Sequence, residues 1–317
     1  MVDLKKISNI LKEKNNFVLL THQYPDGDTL GSAFALCRAL QSMGKYAKIL
    51  CNDNIPDKFD YIYNCIDIQD FEEKFIVSID IADPQLLGDN LSCYKDKIDL
   101  CIDHHASNTN YAKMNFVDPS AAATAEIMAD IIKEMNVKID NKIAECIYTG
   151  ISTDTGCFKY SNATPKTYRI AADMIELGAR SAFINRLMFD TKSKQRVELE
   201  KLVLETLEFF CDDKCAVVYV THDMQVKSGT ADDDIEGISS IPRGIKGVQV
   251  GVTLREKENG IFKISLRTND ELNASDICKK FGGGGHPAAA GCTIHGGLEN
   301  AKKSIVEAIS DEIKRKL

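Results

Sequence analysis

His22-Gln-Tyr-Pro-Asp26-Gly-Asp28 puts one imidazole and two carboxylates within seven residues, directly after the apolar run Phe17-Val-Leu-Leu-Thr21. The run reads as a buried strand, and Pro25 and Gly27 break the chain into a loop at its carboxyl end. Imidazole with carboxylate suits a hard-to-borderline divalent ion such as Mn²⁺ better than a soft one. The same residues would also serve as a polar loop capping a helix over residues 31–43. Segments farther along the chain bear on the choice.

Upstream, residues 1–16 place Leu4, Ile7, Ile10 and Leu11 on one face of a short helix. Downstream, helix 31–43 is closed by Gly44 and followed by a strand over 46–51. A second buried strand, Phe75-Ile-Val-Ser-Ile79, ends in Asp80, and a third, over 98–102, ends in Asp103-His104-His105. Helices over 121–135 and 142–150 precede Ser152-Thr-Asp154-Thr-Gly156, and Thr164-Pro165 opens another that Gly178 closes. This alternation predicts an α/β fold with a parallel sheet flanked by helices and covered on both faces. Residues 181–210 read as helical and charged, with 194–210 one long helix. Past them the texture changes to strands over 216–221, 248–255 and 261–267, with Asn259-Gly260 as a hairpin turn. A glycine run, Gly282 to Gly285, leads to His286-Pro287, and a last helix covers 298–316. The expected division is a catalytic domain over 1–190, a helical linker over 191–210 and a smaller α/β domain over 211–317.

The totals narrow the function. No apolar stretch approaches the ~20 residues of a membrane span, and Met-Val-Asp-Leu-Lys-Lys lacks a signal-peptide core, so a cytoplasmic protein is expected. Eleven cysteines without a C-x2-C pair argue for reduced, apolar filler rather than a disulfide or zinc framework. A net charge of −8 gives no broad basic surface for long nucleic acid, so nucleic-acid substrates would be short pieces or single nucleotides.

Four segments thus carry acidic or imidazole residues just beyond an apolar element: His22/Asp26/Asp28, Asp80, Asp103/His104/His105 and Asp154. Ligands of open α/β sheets sit outside the carboxyl ends of the strands, where three of the four lie. Converging carboxylates repel, and desolvation pushes their pKa values up. Two divalent cations would balance Asp26, Asp28, Asp80 and Asp154, four charges against four. Two metals about 3.5–4 Å apart would activate water and clamp a phosphoryl oxygen for in-line attack. One carboxylate must bridge them, and Asp80, alone on its strand, is the choice. Asp83 competes with it, but Asp83 precedes Pro84 and reads as a turn residue. Singly, each residue has an ordinary explanation as a turn or helix cap; the case rests on their co-occurrence.

His22-x-x-Pro-Asp26-x-Asp28, Asp80, Asp103-His104-His105 and Thr153-Asp154-Thr155-Gly156 resemble the four motifs of the DHH phosphoesterase superfamily. Gly282-Gly-Gly-Gly-His286-Pro287, followed by Ala288-Ala-Ala-Gly291, resembles its DHHA1 substrate domain. The resemblance spans nearly the whole chain. It implies two manganese ions, with Mg²⁺ or Co²⁺ as alternatives. His22, Asp26 and Asp80 would hold one; Asp28, Asp80, His104 and Asp154 the other. His105 would face the scissile phosphate as a polarising or proton-donating group, and Asp103 would orient a histidine. Among these catalytic residues Asp80 doubles as ligand.

In the second domain, Gly283, Gly284, Gly285 and His286 would take a terminal phosphate, the glycines through backbone N–H groups and a following helix start adding its positive end. Arg267 resembles the family's phosphate- or base-contacting arginine; Arg243 and Arg255 are weaker candidates. Holding one end of the substrate away from the metals would measure its length. Within the family the chain resembles the nano-RNase and pAp phosphatase branch, which implies short RNA oligonucleotides and pAp as partners, no membrane, and a homodimer as a compatible assembly. Cys157 departs from relatives that carry arginine there, which removes a phosphate contact. Rival readings are a cyclic-dinucleotide phosphodiesterase, a RecJ-like exonuclease, an inorganic pyrophosphatase and, from another class, a silent nucleotide sensor.

Overall fold

The apolar runs that flank the acidic motifs are strands of one sheet. The computed structural model describes residues 3–230, 237–258, 260–269 and 272–316 and divides into two units, Met1–Thr191 and Lys192–Leu317. In the first unit the order is α1 (Leu4–Glu13), β1 (Phe17–Leu20), α2 (Gly27–Ser42), β2 (Ala47–Leu50), α3 (Asp60–Tyr63), β3 (Phe75–Ile79), β4 (Leu100–Asp103), β5 (Met114–Val117), α4 (Thr124–Glu134), α5 (Asn141–Asp154), α6 (Pro165–Glu176) and α7 (Ser181–Asn185). The five strands pair in parallel in the order β2-β1-β3-β4-β5. That order reverses between β1 and β3, the switch point where open parallel sheets bind ligands.

Alternate strand residues feed two cores. Phe17, Leu19, Val77, Ile79, Leu100 and Ile102 pack in one cluster with Leu30 and Phe34 of α2, Ile127 of α4 and Ile147 of α5. Val18, Leu20, Ile76 and Cys101 pack on the other face with Leu87 and Leu91, from a stretch holding two 3₁₀ turns, Pro84–Leu87 and Ser92–Tyr94. The sheet is covered on both faces, by helices on one and mainly by short turns on the other. Glycines let α2 and α5 touch. A Cβ at Gly31 would lie 2.4 Å from the Cys146 carbonyl, and one at Gly150 would lie 2.7 Å from Asp28 Oδ1, so only glycine fits.

Several elements differ from the sequence reading. The helix placed at 31–43 starts at Gly27, because the Asp26 side chain accepts from the backbone N–H groups of Asp28 and Thr29 and caps it. The helix placed at 142–150 runs on to Asp154. The single helix placed at 194–210 is α8 (Lys194–Leu204), then a separate edge strand, β6 (Glu208–Phe210). Residues 194–210 contain no proline, glycine or asparagine to signal the break.

The second unit continues with β7 (Cys215–Val220), α9 (His222–Ser228), β8 (Val250–Glu258), β9 (Ile261–Thr268), α10 (Ala274–Lys279), β10 (Gly284–His286), β11 (Ala289–His295) and α11 (Gly297–Lys316). Its sheet order is β10-β11-β9-β8-β7-β6, with β7 and β8 parallel and the other pairs antiparallel. Asn259 of the expected hairpin turn lies outside the described residues. One face buries Val250, Val252, Leu254, Ile264 and Leu266 against Ile277 of α10 and Ile305 and Ile309 of α11. The opposite face is covered only in part: Val218 and Val220 pack on Leu199 and Val203 of α8, while Lys263 and Thr293 remain exposed. All eleven cysteines are free thiols and seven are buried, which fits apolar filler. No helix among the described residues is long and apolar enough to cross a membrane.

Candidate metal centre and phosphate-binding face

The ends of β1, β3 and β4 and the last turn of α5 bring together the residues singled out in the first unit. His22 Nδ1 lies 2.8 Å from the Gln23 carbonyl, and His104 Nδ1 lies 3.2 Å from the Ala121 carbonyl. A carbonyl only accepts, so each Nδ1 carries a proton and each Nε2 is left with its lone pair free. His22 Nε2 stands 3.6 Å from Asp26 Oδ1 and 3.8 Å from Asp80 Oδ2. His104 Nε2 stands 3.5 Å from Asp154 Oδ2, 3.7 Å from Asp80 Oδ1 and 4.0 Å from Asp28 Oδ2. Asp80 therefore offers a different oxygen to each imidazole. His22/Asp26/Asp80 and Asp28/His104/Asp154 are each grouped closely enough to hold a cation. Asp83, by contrast, caps the turn that follows it, accepting from the Gln85 N–H at 2.9 Å.

Asp80 sits one residue past β3 with φ +61°, a left-handed conformation that costs a non-glycine residue about 1–2 kcal/mol. Its N–H still bonds the Ile102 carbonyl at 2.9 Å, so the strained residue is tied to β4 while its side chain turns into the cluster. Burial and the charges of Asp28 and Asp26 raise the Asp80 carboxyl well above its ordinary range. Burial, Asp154 and Asp26 do the same to Asp28, and burial followed by the Asp26 charge raises Asp154. Burial pushes the Asp26 carboxyl up, but His22 and two backbone N–H groups more than offset this and leave it lowered. His22, which burial alone would lower, is raised by its bond to Asp26. Carboxylates reluctant to ionise, with imidazole lone pairs turned on them, form a donor set whose charge divalent cations would balance.

Asp103 is fully buried and does separate work. Its Oδ1 accepts from His105 Nδ1 at 2.7 Å and from the His104 N–H at 2.8 Å, while Asn108 Nδ2 donates to Oδ2 at 2.6 Å. Burial pushes the Asp103 carboxyl up, and these bonds outweigh it and leave it lowered. The bond to Asp103 in turn raises His105. His105 is half-exposed with Nε2 as its remaining nitrogen.

Sequence reasoning missed Thr124. Its hydroxyl donates to Asp80 Oδ1 at 2.8 Å, and the N–H groups of Thr124 and Ala125 donate to Asp28 at 2.7 and 2.9 Å. The start of α4 therefore orients two candidate ligands at once. A hydroxyl opening a helix is an ordinary cap signal, and nothing local showed that it serves Asp80. Asn108 and Asn162, which donates to the Asp154 carbonyl at 3.2 Å, were missed for the same reason. Past α5, Gly156, Cys157 and Phe158 all have positive φ, so Cys157 lies in a left-handed turn and is partly buried.

In the second unit, strand register aligns His286 with Ala289, Ala289 with Arg267, and Arg267 with Gly251. His286 and Arg267 thus share one row and one face, two strands apart. The expected helix start after the glycine run is absent: Gly284–His286 is itself strand β10, paired antiparallel to β11, and Gly283 approaches the Gly291 carbonyl too closely for a Cβ. Arg255 lies four residues along β8 from Gly251, roughly 13 Å at strand rise. Arg243 sits in a 3₁₀ turn, Pro242–Gly244, and not at a strand end.

The fold and the first-unit site define a class, the metal-dependent phosphoesterases. Within it the chain belongs to the DHH family: residues 16–151 match the DHH family, N-terminal domain, and residues 212–315 match the DHHA1 domain. The bifunctional oligoribonuclease and PAP phosphatase NrnA of Thermus thermophilus is 32% identical over 98% of this chain and 95% of its own length. The protein of that name from Bacillus subtilis is 26% identical over 89% of this chain and 90% of its own. Among solved structures, an exopolyphosphatase-related protein from Bacteroides fragilis superposes with a TM-score of 0.86 at 26% identity, covering 99% of this chain and 97% of that one.

Proposed function

We propose that this protein is a Mn²⁺-dependent cytoplasmic enzyme that hydrolyses short oligoribonucleotides, dinucleotides such as pApA, to mononucleotides and removes the 3′ phosphate of pAp. The observation that carries the two-metal part is Asp80, whose two oxygens address different imidazoles, each with its Nδ1 spent on a carbonyl. On that basis His22, Asp26 and Asp80 would hold one ion, and Asp28, Asp80, His104 and Asp154 the other. When bound, two such ions neutralise phosphoryl charge and lower the pKa of water. The names of the relatives support the substrate class.

The chain's own residues supply the rest. Asp103 holds the His105 ring in one orientation and favours its protonated form, so His105 Nε2 is the donor to a phosphoryl or leaving oxygen. Arg267, His286 and the backbone of Gly283, Gly284 and Gly285 take the substrate's terminal phosphate. The test is turnover with Mn²⁺ on pApA, pAp, cyclic di-AMP and a long single-stranded RNA, with Asp80→Ala as control. Fast pApA, then pAp, with slow long RNA, is expected. Preference for cyclic di-AMP or for the long RNA would overturn the substrate assignment. Turnover that survives Asp80→Ala would overturn the site.

A further inference from the structure

The open face of the second sheet carries a donor set larger than Arg267 and His286. Residues paired across antiparallel strands project to the same side, so the row of His286, Arg267 and Gly251 has one outer face. A Cβ on Gly251 would lie 2.5 Å from the Arg243 backbone nitrogen and 3.1 Å from Arg243 Cβ. The chain at Arg243 therefore rests directly on that face, one strand from Arg267, or about 4.8 Å at strand spacing. A glycine at 251 is what makes the room.

Arg243 is partly buried, and among the described residues no hydrogen bond or ion pair engages its guanidinium. In the next row on the same face, Thr253 pairs with Ser265, whose side chain is partly exposed. The accessible polar side chains of the two rows are a hydroxyl, an imidazole and an arginine, with no carboxylate among them. Such a set is matched by a phosphate monoester, whose oxygens accept several charge-assisted bonds and suit a planar fork.

We propose that Arg243 is a second guanidinium for the substrate's terminal phosphate, acting with Arg267 on the open face of the second sheet. This rests on the reading that the face takes that phosphate. The experiment compares kcat/KM on pApA and on ApA, which lacks the 5′ phosphate, for wild type, Arg243→Gln and Arg243→Lys. Wild type should prefer pApA. Arg243→Gln should lose about 10- to 100-fold on pApA, the scale of a bond to a charged group, and keep its ApA rate, which also shows that it is folded. Arg243→Lys keeps the charge but not the fork, and should fall between, which covers the case of an unstable glutamine variant. A wild type that treats the two substrates alike removes the reading and the inference together. Discrimination that survives both variants, or equal losses on the two substrates, removes the inference alone.

Discussion

Thr124→Val tests whether the start of α4 sets the metal centre. Valine keeps the branched shape and the backbone N–H that donates to Asp28, and removes only the hydroxyl that donates to Asp80 Oδ1 at 2.8 Å. A hydrogen bond to a charged group is worth about 1.5–3 kcal/mol. At about 1.4 kcal/mol per factor of ten, its loss should weaken Mn²⁺ binding by about 10- to 100-fold, the range seen when a partner of a metal ligand is removed. Thr124→Ser, which restores a hydroxyl, should stay within a few-fold of wild type. The assay is titration of chelator-stripped protein with Mn²⁺, following the free ion by electron paramagnetic resonance, so that no turnover is needed. Thermal melting without metal should change less, since burial and like charge already disfavour the ionised form of Asp80 there and weaken what the hydroxyl contributes. Valine and wild-type proteins with equal affinity would refute the reasoning, and so would a serine variant as weak as the valine one.

Other consequences follow from the same geometry. Asp28, Asp80 and Asp154 have folded-state pKa values above the ordinary 3.8, and His22 and His105 lie above 6.5. Stability from such raised groups is present below the unfolded pKa and lost as pH rises through the folded one. Metal-free protein should therefore melt lower as pH rises from about 5 to 8, and saturating Mn²⁺ should flatten or reverse the slope; a metal-free melting point rising over that window would contradict this. Lowered Asp26 and Asp103 act oppositely, their contribution disappearing as pH falls below about 4. Asp103→Asn removes the main cause that raises His105. Its kcat should fall by about 10²–10⁴-fold and the basic limb of its pH–rate profile should move to lower pH; an unmoved limb would detach His105 from the proton transfer. Gly150→Ala sets a Cβ 2.5 Å from Ala125 Cβ and 2.7 Å from Asp28 Oδ1. It should destabilise the metal-free fold by about 1–3 kcal/mol and shrink the Mn²⁺-induced gain in melting temperature, which paired melting curves would measure.

What could be read from the sequence was whatever announces itself within a few residues. The apolar runs before His22, Asp80 and Asp103 give strands because short, branched, buried segments have few other solutions, whereas the strand order that sets a switch point beside β1 is seen only in the structure. Elements whose stability comes from distant partners were not legible. Met114–Val117 is only half-buried and becomes a strand by pairing with β4. Gly284–His286, a glycine run that reads as loop or anion cradle, becomes one by pairing with β11. Asn108 and Thr124 reach the candidate centre because β4 and α4 bring them to Asp103 and Asp80, which no local pattern encodes.

The helix-cap reading and the proposed metal-ligand reading of the acidic motif concern the same atoms. Asp26 caps α2 through Oδ1, and that same oxygen lies 3.6 Å from His22 Nε2. Capping starts α2 early enough to put Asp28 in its first turn, where the N–H groups opening α4 hold both of its oxygens. Local helix chemistry by itself thus arranges the carboxylates of the candidate site. The cost is concentrated at Asp80, left-handed in backbone, fully buried and surrounded by like charge. A residue so disfavoured is kept in place by the Ile102 carbonyl and the Thr124 hydroxyl, which is why the loss of one hydroxyl should be felt in metal affinity more than in folding.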